Sequence, residues 1–197
     1  MEIIRFASLK PEPWRNGGGI TRQLASHPGD GAAKDGGWDW RVSIADVSKA
    51  GDFSPFPGME RVLTVVEGEL LLLTVDGAER PLEKYRPFRF PGGAATQAKL
   101  PTGDIRDLNV ITRAGRFKGY TSIIELSKKR AKPLFEGSFG ILLQGQATVA
   151  VGSEEPEPLG RYDAVVGSDV DTPDVLGRGF LAVVSIDPVE DEPAGTV

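Results

Sequence analysis

Two stretches of this chain carry the same pattern at a fixed spacing. Val66-Glu-Gly-Glu-Leu-Leu-Leu72 is echoed by Leu143-Gln-Gly-Gln-Ala-Thr-Val149, and Pro81-Leu-Glu-Lys-Tyr85 by Pro158-Leu-Gly-Arg-Tyr162. Gly68 and Gly145, Pro81 and Pro158, Leu82 and Leu159, and Tyr85 and Tyr162 are each 77 residues apart, with no gap. Such self-similarity marks a duplicated β unit. Each copy runs strand, glycine turn, strand, then a leucine and an aromatic leading into another strand. That is the pattern of half a jelly roll.

The remaining sequence agrees. With Gly 25 and Pro 15 in 197 residues, the chain is cut into short strands joined by turns, and continuous helical periodicity is absent. Ile3–Phe6 reads as a first strand. Trp38–Ala45 alternates, with Trp38, Trp40, Val42 and Ile44 on one face and Asp39, Arg41 and Ser43 on the other. Arg61–Val75 holds two apolar runs joined by a tight hairpin at Glu67-Gly68-Glu69, whose carboxylates are expected to face solvent. Asp107–Arg113 alternates again: Leu108 and Val110 share one face, Asp107, Asn109 and Arg113 the other. His27–Gly37 and Gly51–Gly58 read as loops. The expected fold is all-β. It has an N-terminal half over residues 1–120, a C-terminal half over 121–187, and an acidic, disordered tail over 188–197.

Composition removes several classes of function. A net charge of -5 speaks against nucleic acid as the partner. With no cysteine, disulfides, thiolate nucleophiles and zinc–thiolate sites are excluded. The one histidine, His27, cannot build a histidine-rich metal centre, and in its loop context it reads as a solvated residue. No tight acidic cluster suggests an oxygen-only cation site, so no metal or cofactor is expected. No leader or membrane span is apparent. The expectation is a soluble, cytoplasmic chain without a membrane partner. Its sheet edges need protection, which is compatible with a homodimer.

Anion binding is the chemistry that remains. In Trp14-Arg-Asn-Gly-Gly-Gly-Ile-Thr-Arg22, three glycines let backbone amides approach a partner closely. The Gly17–Gly19 amides can form a concave donor nest, with Trp14, Asn16, Gly17, Gly18, Thr21 and Arg22 around a ligand. The alternative is a close chain crossing near Trp14 or Trp40, with Asn16 capping a turn. Arg41, Arg61 and Arg113 lie in or beside other motifs. Ser43 shares a face with Arg41, and Asn109 with Arg113. A guanidinium holds a carboxylate through two hydrogen bonds. Arg61, at a strand entrance, is placed to point across a barrel mouth. For any one arginine the competing role is an ion pair with Asp39, Asp46, Glu60 or Asp107. Trp38, Trp40, Phe53, Phe56, Phe88 and Phe90 read as core.

Four blocks carry a family resemblance: Trp14–Arg22, Trp40-Arg-Val-Ser-Ile-Ala45, Gly51-Asp-Phe-Ser-Pro-Phe-Pro-Gly58 and Asp107-Leu-Asn-Val-Ile-Thr-Arg113. In this order they resemble the HutD/Ves family; the second half is matched only by its repeat. The resemblance implies a bicupin, two jelly-roll cupin β-barrels in one chain. It also implies a regulator or sensor in histidine utilisation, binding a small anionic metabolite such as urocanate or N-formylglutamate. Gln23 stands where many relatives carry an acidic residue.

Three functions stay open at this point. The first is a metal-free carboxylate-binding bicupin. The second is a metal-independent isomerase or hydrolase using Tyr85, Tyr162 or Asp107 as acid and base. The third is a protein-interaction scaffold.

Overall fold

A computed structural model describes residues 1–28 and 37–189. Among them the chain is all-β, with one short 3-10 turn at Phe6–Ser8. The first strands are β1 (Glu2–Ile4), β2 (Glu12–Pro13), β3 (Gly19–His27), β4 (Trp40–Val47), β5 (Gly51–Asp52) and β6 (Met59–Glu67). Then come β7 (Leu70–Val75), β8 (Ala78–Glu83), β9 (Phe88–Pro91), β10 (Thr96–Lys99), β11 (Ile105–Arg113) and β12 (Phe117–Glu125). The last are β13 (Lys132–Pro133), β14 (Ser138–Val151), β15 (Glu157–Leu159), β16 (Ala164–Val166) and β17 (Pro173–Pro188).

Three antiparallel sheets form. The first has the order β2-β3-β4-β11-β6-β9, the second β5-β10-β7-β8, and the third β1-β16-β14-β17-β12 with β13 and β15 at its margins. The first sheet is buried on both faces. Leu63, Val65, Ala45 and Val47 meet Leu71, Leu73 and Ala98 of the second sheet and fill the first barrel. Val42, Ile44, Val62, Leu108 and Val110 turn the other way, onto Phe139, Ile141, Ala182 and Val184 of the third sheet. Period-two alternation sorts these residues between two cores. A third core, around Leu134, Leu142, Val149, Val175 and Leu181, fills the second half.

The 77-residue repeat is a structural repeat. The Tyr85 N–H donates to the Val65 carbonyl at 2.8 Å, and the Tyr162 N–H to the Leu142 carbonyl at 2.6 Å. Both tyrosines adopt positive φ, 66° and 68°. Val66 and Leu143 are the bulged residues that skip a partner in their ladders. These pairs all keep the sequence offset. In the second half, β14 and β17 stay paired past this bulge. Gly145 and Gly179 face each other there with φ 99° and 112°, and a Cβ on either would lie 2.0 Å from a backbone oxygen of the facing strand.

Several expectations change. Glu67-Gly68-Glu69 is a corner, not a hairpin: β6 belongs to the first sheet and β7 to the second. Glu67 does not simply face solvent, since the Tyr162 hydroxyl donates to it at 2.7 Å. Trp38 precedes β4 and packs on Phe56 rather than on the face of Trp40. The first strand also ends earlier, at Ile4, and pairs with β16 in the sheet of the second half. His27 is exposed, as expected, but is the last residue of β3 rather than part of a loop, and stacks on Trp40 at 5.8 Å. The remainder of the expected loop, residues 29–36, and the tail from 190 lie outside the described residues. Pro188 still belongs to β17, and the Val189 N–H donates to the Arg116 carbonyl at 2.9 Å.

Candidate functional site

Ladder register builds the site. Across β4, β11 and β6 it sets Arg41 beside Ile111 beside Arg61, then Ser43 beside Asn109 beside Leu63, then Ala45 beside Asp107 beside Val65. All nine positions share the face opposite Leu108 and Val110, so they point into the first barrel. The two arginines start two strands apart, roughly 10 Å. Arg41, Ser43, Arg61 and Asn109 line a cavity of about 540 Å³, with Trp14, Asn16 and Thr21 on another wall. Phe53 and Phe56 supply apolar lining, and the exposed Glu12, Arg15 and Asp52 complete it.

The two inward arginines differ from the others. Arg61 is 5% exposed. Its Nη2 donates to Asn109 Oδ1 at 2.8 Å, and its guanidinium lies over Phe90, Phe53 and Phe56 at 5.1, 5.5 and 5.5 Å. The Arg41 guanidinium lies over Trp38 at 4.7 Å and Phe56 at 5.5 Å. The buried Nε of each has no hydrogen-bond partner among the described residues. Among the described residues neither forms an ion pair, whereas Arg5, Arg22, Arg89, Arg106, Arg113, Arg116 and Arg161 all do. Aromatic faces hold these two cations without cancelling their charge. Burial lowers the Arg61 pKa to about 10, with Asp107 opposing and the like charge of Arg41 adding. Burial lowers Arg41 as well, opposed by Glu12. Arg61 is thus still a cation at neutral pH.

Asp107 lies one row deeper and is fully buried. The Asn109 Nδ2 donates to its Oδ1, while Oδ2 has no hydrogen-bond partner among the described residues. Burial raises its pKa from 3.8 to about 7; the charge of Arg61 opposes this, and Asp46 adds to it.

The glycine loop has a structural job. The Gly17 N–H donates to the Trp14 carbonyl at 3.0 Å, the Gly18 N–H to Asn16 Oδ1 at 2.9 Å, and the Trp14 N–H to the Gly19 carbonyl at 2.9 Å. The Gly17 and Gly18 amides expected to form a nest are therefore spent inside the loop, and these two glycines do not line the cavity. A Cβ on Gly19 would lie 2.5 Å from the Asp46 carbonyl and 3.0 Å from the Trp14 ring. This is the close crossing, with Asn16 as the turn cap. It lets Trp14 Nε1 donate to Thr21 Oγ1 at 2.8 Å and carries both side chains into the lining.

Arg22 and Arg113 take the competing role. Arg22 pairs with Asp46 at 3.0 Å on the far face of β3, with its guanidinium over Phe6. Arg113 donates to Asp39 at 2.6 Å and to the Trp38 carbonyl at 3.1 Å. Neither lines the cavity. Tyr85 and Tyr162 are also elsewhere, donating to Gln144 and Glu67. Phe53, read from sequence as core, does belong to the first-barrel core and also walls the cavity; Phe56, read the same way, is a half-buried cavity wall. The signal was their place in the Gly51–Gly58 block, immediately before Arg61. Among the described residues no three acids or histidines gather in a metal-binding arrangement.

Antiparallel sheets packed into a β-barrel that opens on a side-chain-lined cavity are a cupin-like architecture. At the level of fold, the chain is similar to a cupin 2 conserved barrel domain protein from Leptotrichia buccalis, with a TM-score of 0.60 at 7% identity over 94% of this chain and 95% of the other. The chain belongs to the HutD family, whose model matches residues 7–183. It is 32% identical over 169 residues to an uncharacterized 21.2 kDa protein in the hutC 3′ region of Pseudomonas putida, covering 84% of this chain and 85% of that one. It is 37% identical over 127 residues to protein Ves of Citrobacter koseri, covering 64% of each. The structure of HutD from Pseudomonas fluorescens SBW25, in a formate condition, superposes with a TM-score of 0.77 at 29% identity, over 96% of this chain and 99% of that chain. No described helix is long and apolar enough to cross a membrane.

Proposed function

We propose that this chain binds a small carboxylate in the first-barrel cavity and serves as a sensor or regulator in histidine utilisation. One observation carries the reading. Among the described residues Arg41 and Arg61 are cations without an ion-pair partner, and both line one cavity. An uncompensated buried charge is costly, and a ligand carboxylate removes that cost with two hydrogen bonds to a guanidinium. Ser43, Asn109 and Thr21 offer further polar contacts, and Trp14, Phe53 and Phe56 suit a flat or aliphatic body. The link to histidine utilisation rests on kinship with HutD. Urocanate and N-formylglutamate are the ligands to try.

Thermal unfolding tests the proposal. Millimolar urocanate or N-formylglutamate is expected to raise the melting temperature, and Arg61→Ala to abolish the shift. The urocanate absorbance is expected to stay constant through the incubation. Absence of any shift with both compounds overturns the carboxylate assignment, and loss of the urocanate band would make the protein an enzyme.

A further inference from the structure

We propose that Asp107 is the specificity-determining residue of the cavity: by holding or releasing a proton, its carboxylate sets whether the site takes a monoanion or a dianion. This rests on reading the cavity as an anion site. Arg41 and Arg61 give that site two positive charges. Asn109 ties one of them to Asp107, since its Oδ1 accepts from Arg61 Nη2 and its Nδ2 donates to Asp107 Oδ1. Asp107 is 0% exposed, and among the described residues its Oδ2 has no hydrogen-bond partner. In so dry a place its charge acts on Arg61 with little screening. Ionised, it cancels one arginine charge and leaves the site matched to one carboxylate. Protonated, it leaves two charges, matched to two carboxylates.

The surroundings support this pairing. From β6 the charged group on the face of Asp107 is Arg61; Asp46 of β4 points to the opposite face of the sheet and acts on Asp107 only through its charge. Asp46 is itself engaged by Arg22 of β3 and by Arg106. β12 meets β11 through Gly119, where a Cβ would lie 2.7 Å from Val110, so that contact brings no charge. Glu12 is exposed, and its effect on Arg41 is screened by water. With burial pushing Asp107 up to about 7, both protonation states are populated near neutrality. A dianion engaging both arginines withdraws Arg61 from Asp107 and draws a proton onto the carboxylate.

Titration calorimetry at about pH 7, in buffers of different ionisation enthalpy, tests the inference with N-formylglutamate (two carboxylates) and urocanate (one). The dianion is expected to take up about half a proton per site, and the monoanion clearly less. Asp107→Asn should abolish the uptake and raise the dianion-to-monoanion affinity ratio about tenfold. Equal uptake by both ligands, heats independent of buffer, or no dianion binding at about pH 6 where the monoanion binds would each overturn the proposal while leaving the anion site intact. No heat from either ligand in any buffer overturns the anion site itself. If Asp107→Asn does not fold, the wild-type buffer comparison decides alone.

Discussion

The Tyr162 hydroxyl donates to Glu67 Oε2 at 2.7 Å, and the Tyr85 hydroxyl donates to Gln144 Oε1 at 3.3 Å. Tyr85 and Tyr162 are repeat partners, and so are Glu67 and Gln144. Each copy of the unit therefore reaches across to the other at the same position. Reciprocal contact of this kind is what a two-fold interface produces. The two halves of this chain pack as the two subunits of a symmetric dimer would, with the shared core of Val62, Leu108, Ile141 and Val184 between them.

The two crossing bonds are unequal, and mutation is expected to show it. Tyr162 is 2% exposed, and its hydroxyl bonds an acid; burial and that bond push its pKa up. Tyr162→Phe should cost about 1.5 kcal/mol in urea unfolding. Tyr85 is partly exposed, and its bond to a neutral amide is long, so Tyr85→Phe should cost under about 0.5 kcal/mol. Equal losses would mean that the halves share both bonds evenly.

The repeat was legible because glycine, proline and positive-φ positions leave strong marks on sequence. Alternation likewise told which residues share a face within β4 and within β11, pairing Arg41 with Ser43 and Asn109 with Asp107 and Arg113. It could not tell which strand comes next in space. That is why the corner at Gly68 read as a hairpin, and why the pairing of β1 with β16 was not foreseen. Nor does a face reveal a partner. Arg22 and Arg41 looked alike in sequence, yet Arg22 sits one ladder step diagonally from Asp46, while the Arg41 guanidinium lies over the rings of Trp38 and Phe56.

The glycines of the Trp14–Arg22 block should differ sharply in tolerance. Gly17 has φ 67° but open space around it, so Gly17→Ala should cost about 1 kcal/mol, the price of a left-handed backbone. Gly19→Ala drives a methyl group against the Asp46 backbone and the Trp14 ring. Its cost should exceed about 2 kcal/mol. Ligand-induced thermal stabilisation should also weaken, because Trp14 lines the cavity. Denaturant curves and thermal shifts on both variants check this, and equal tolerance would contradict the close crossing.

Geometry as well as charge should matter at Arg61. Arg61→Lys keeps a cation but loses the fork that reaches Asn109 while facing the cavity. Carboxylate affinity should fall about tenfold with lysine and about a hundredfold with alanine, by calorimetry. A lysine variant that binds as tightly as wild type would reduce the site to a simple positive patch.

Stability should depend on pH through Asp107, with an unusual sign. Its folded pKa, about 7, lies above the ordinary 3.8. Between those values the native state holds the proton that the unfolded chain has released. Stability therefore falls as pH rises across that window. Ionising a carboxylate with a partnerless oxygen in a dry barrel costs the native state on the order of a few kcal/mol. Asp107→Asn cannot ionise, so it should escape that loss. Other carboxylates titrate in both proteins and cancel in the difference. Urea unfolding at about pH 5 and pH 8 should show the variant gaining on wild type as pH rises. A difference that stays flat, or shrinks, would place the ionised Asp107 in a favourable bond with Arg61 and remove the charge switch from the cavity.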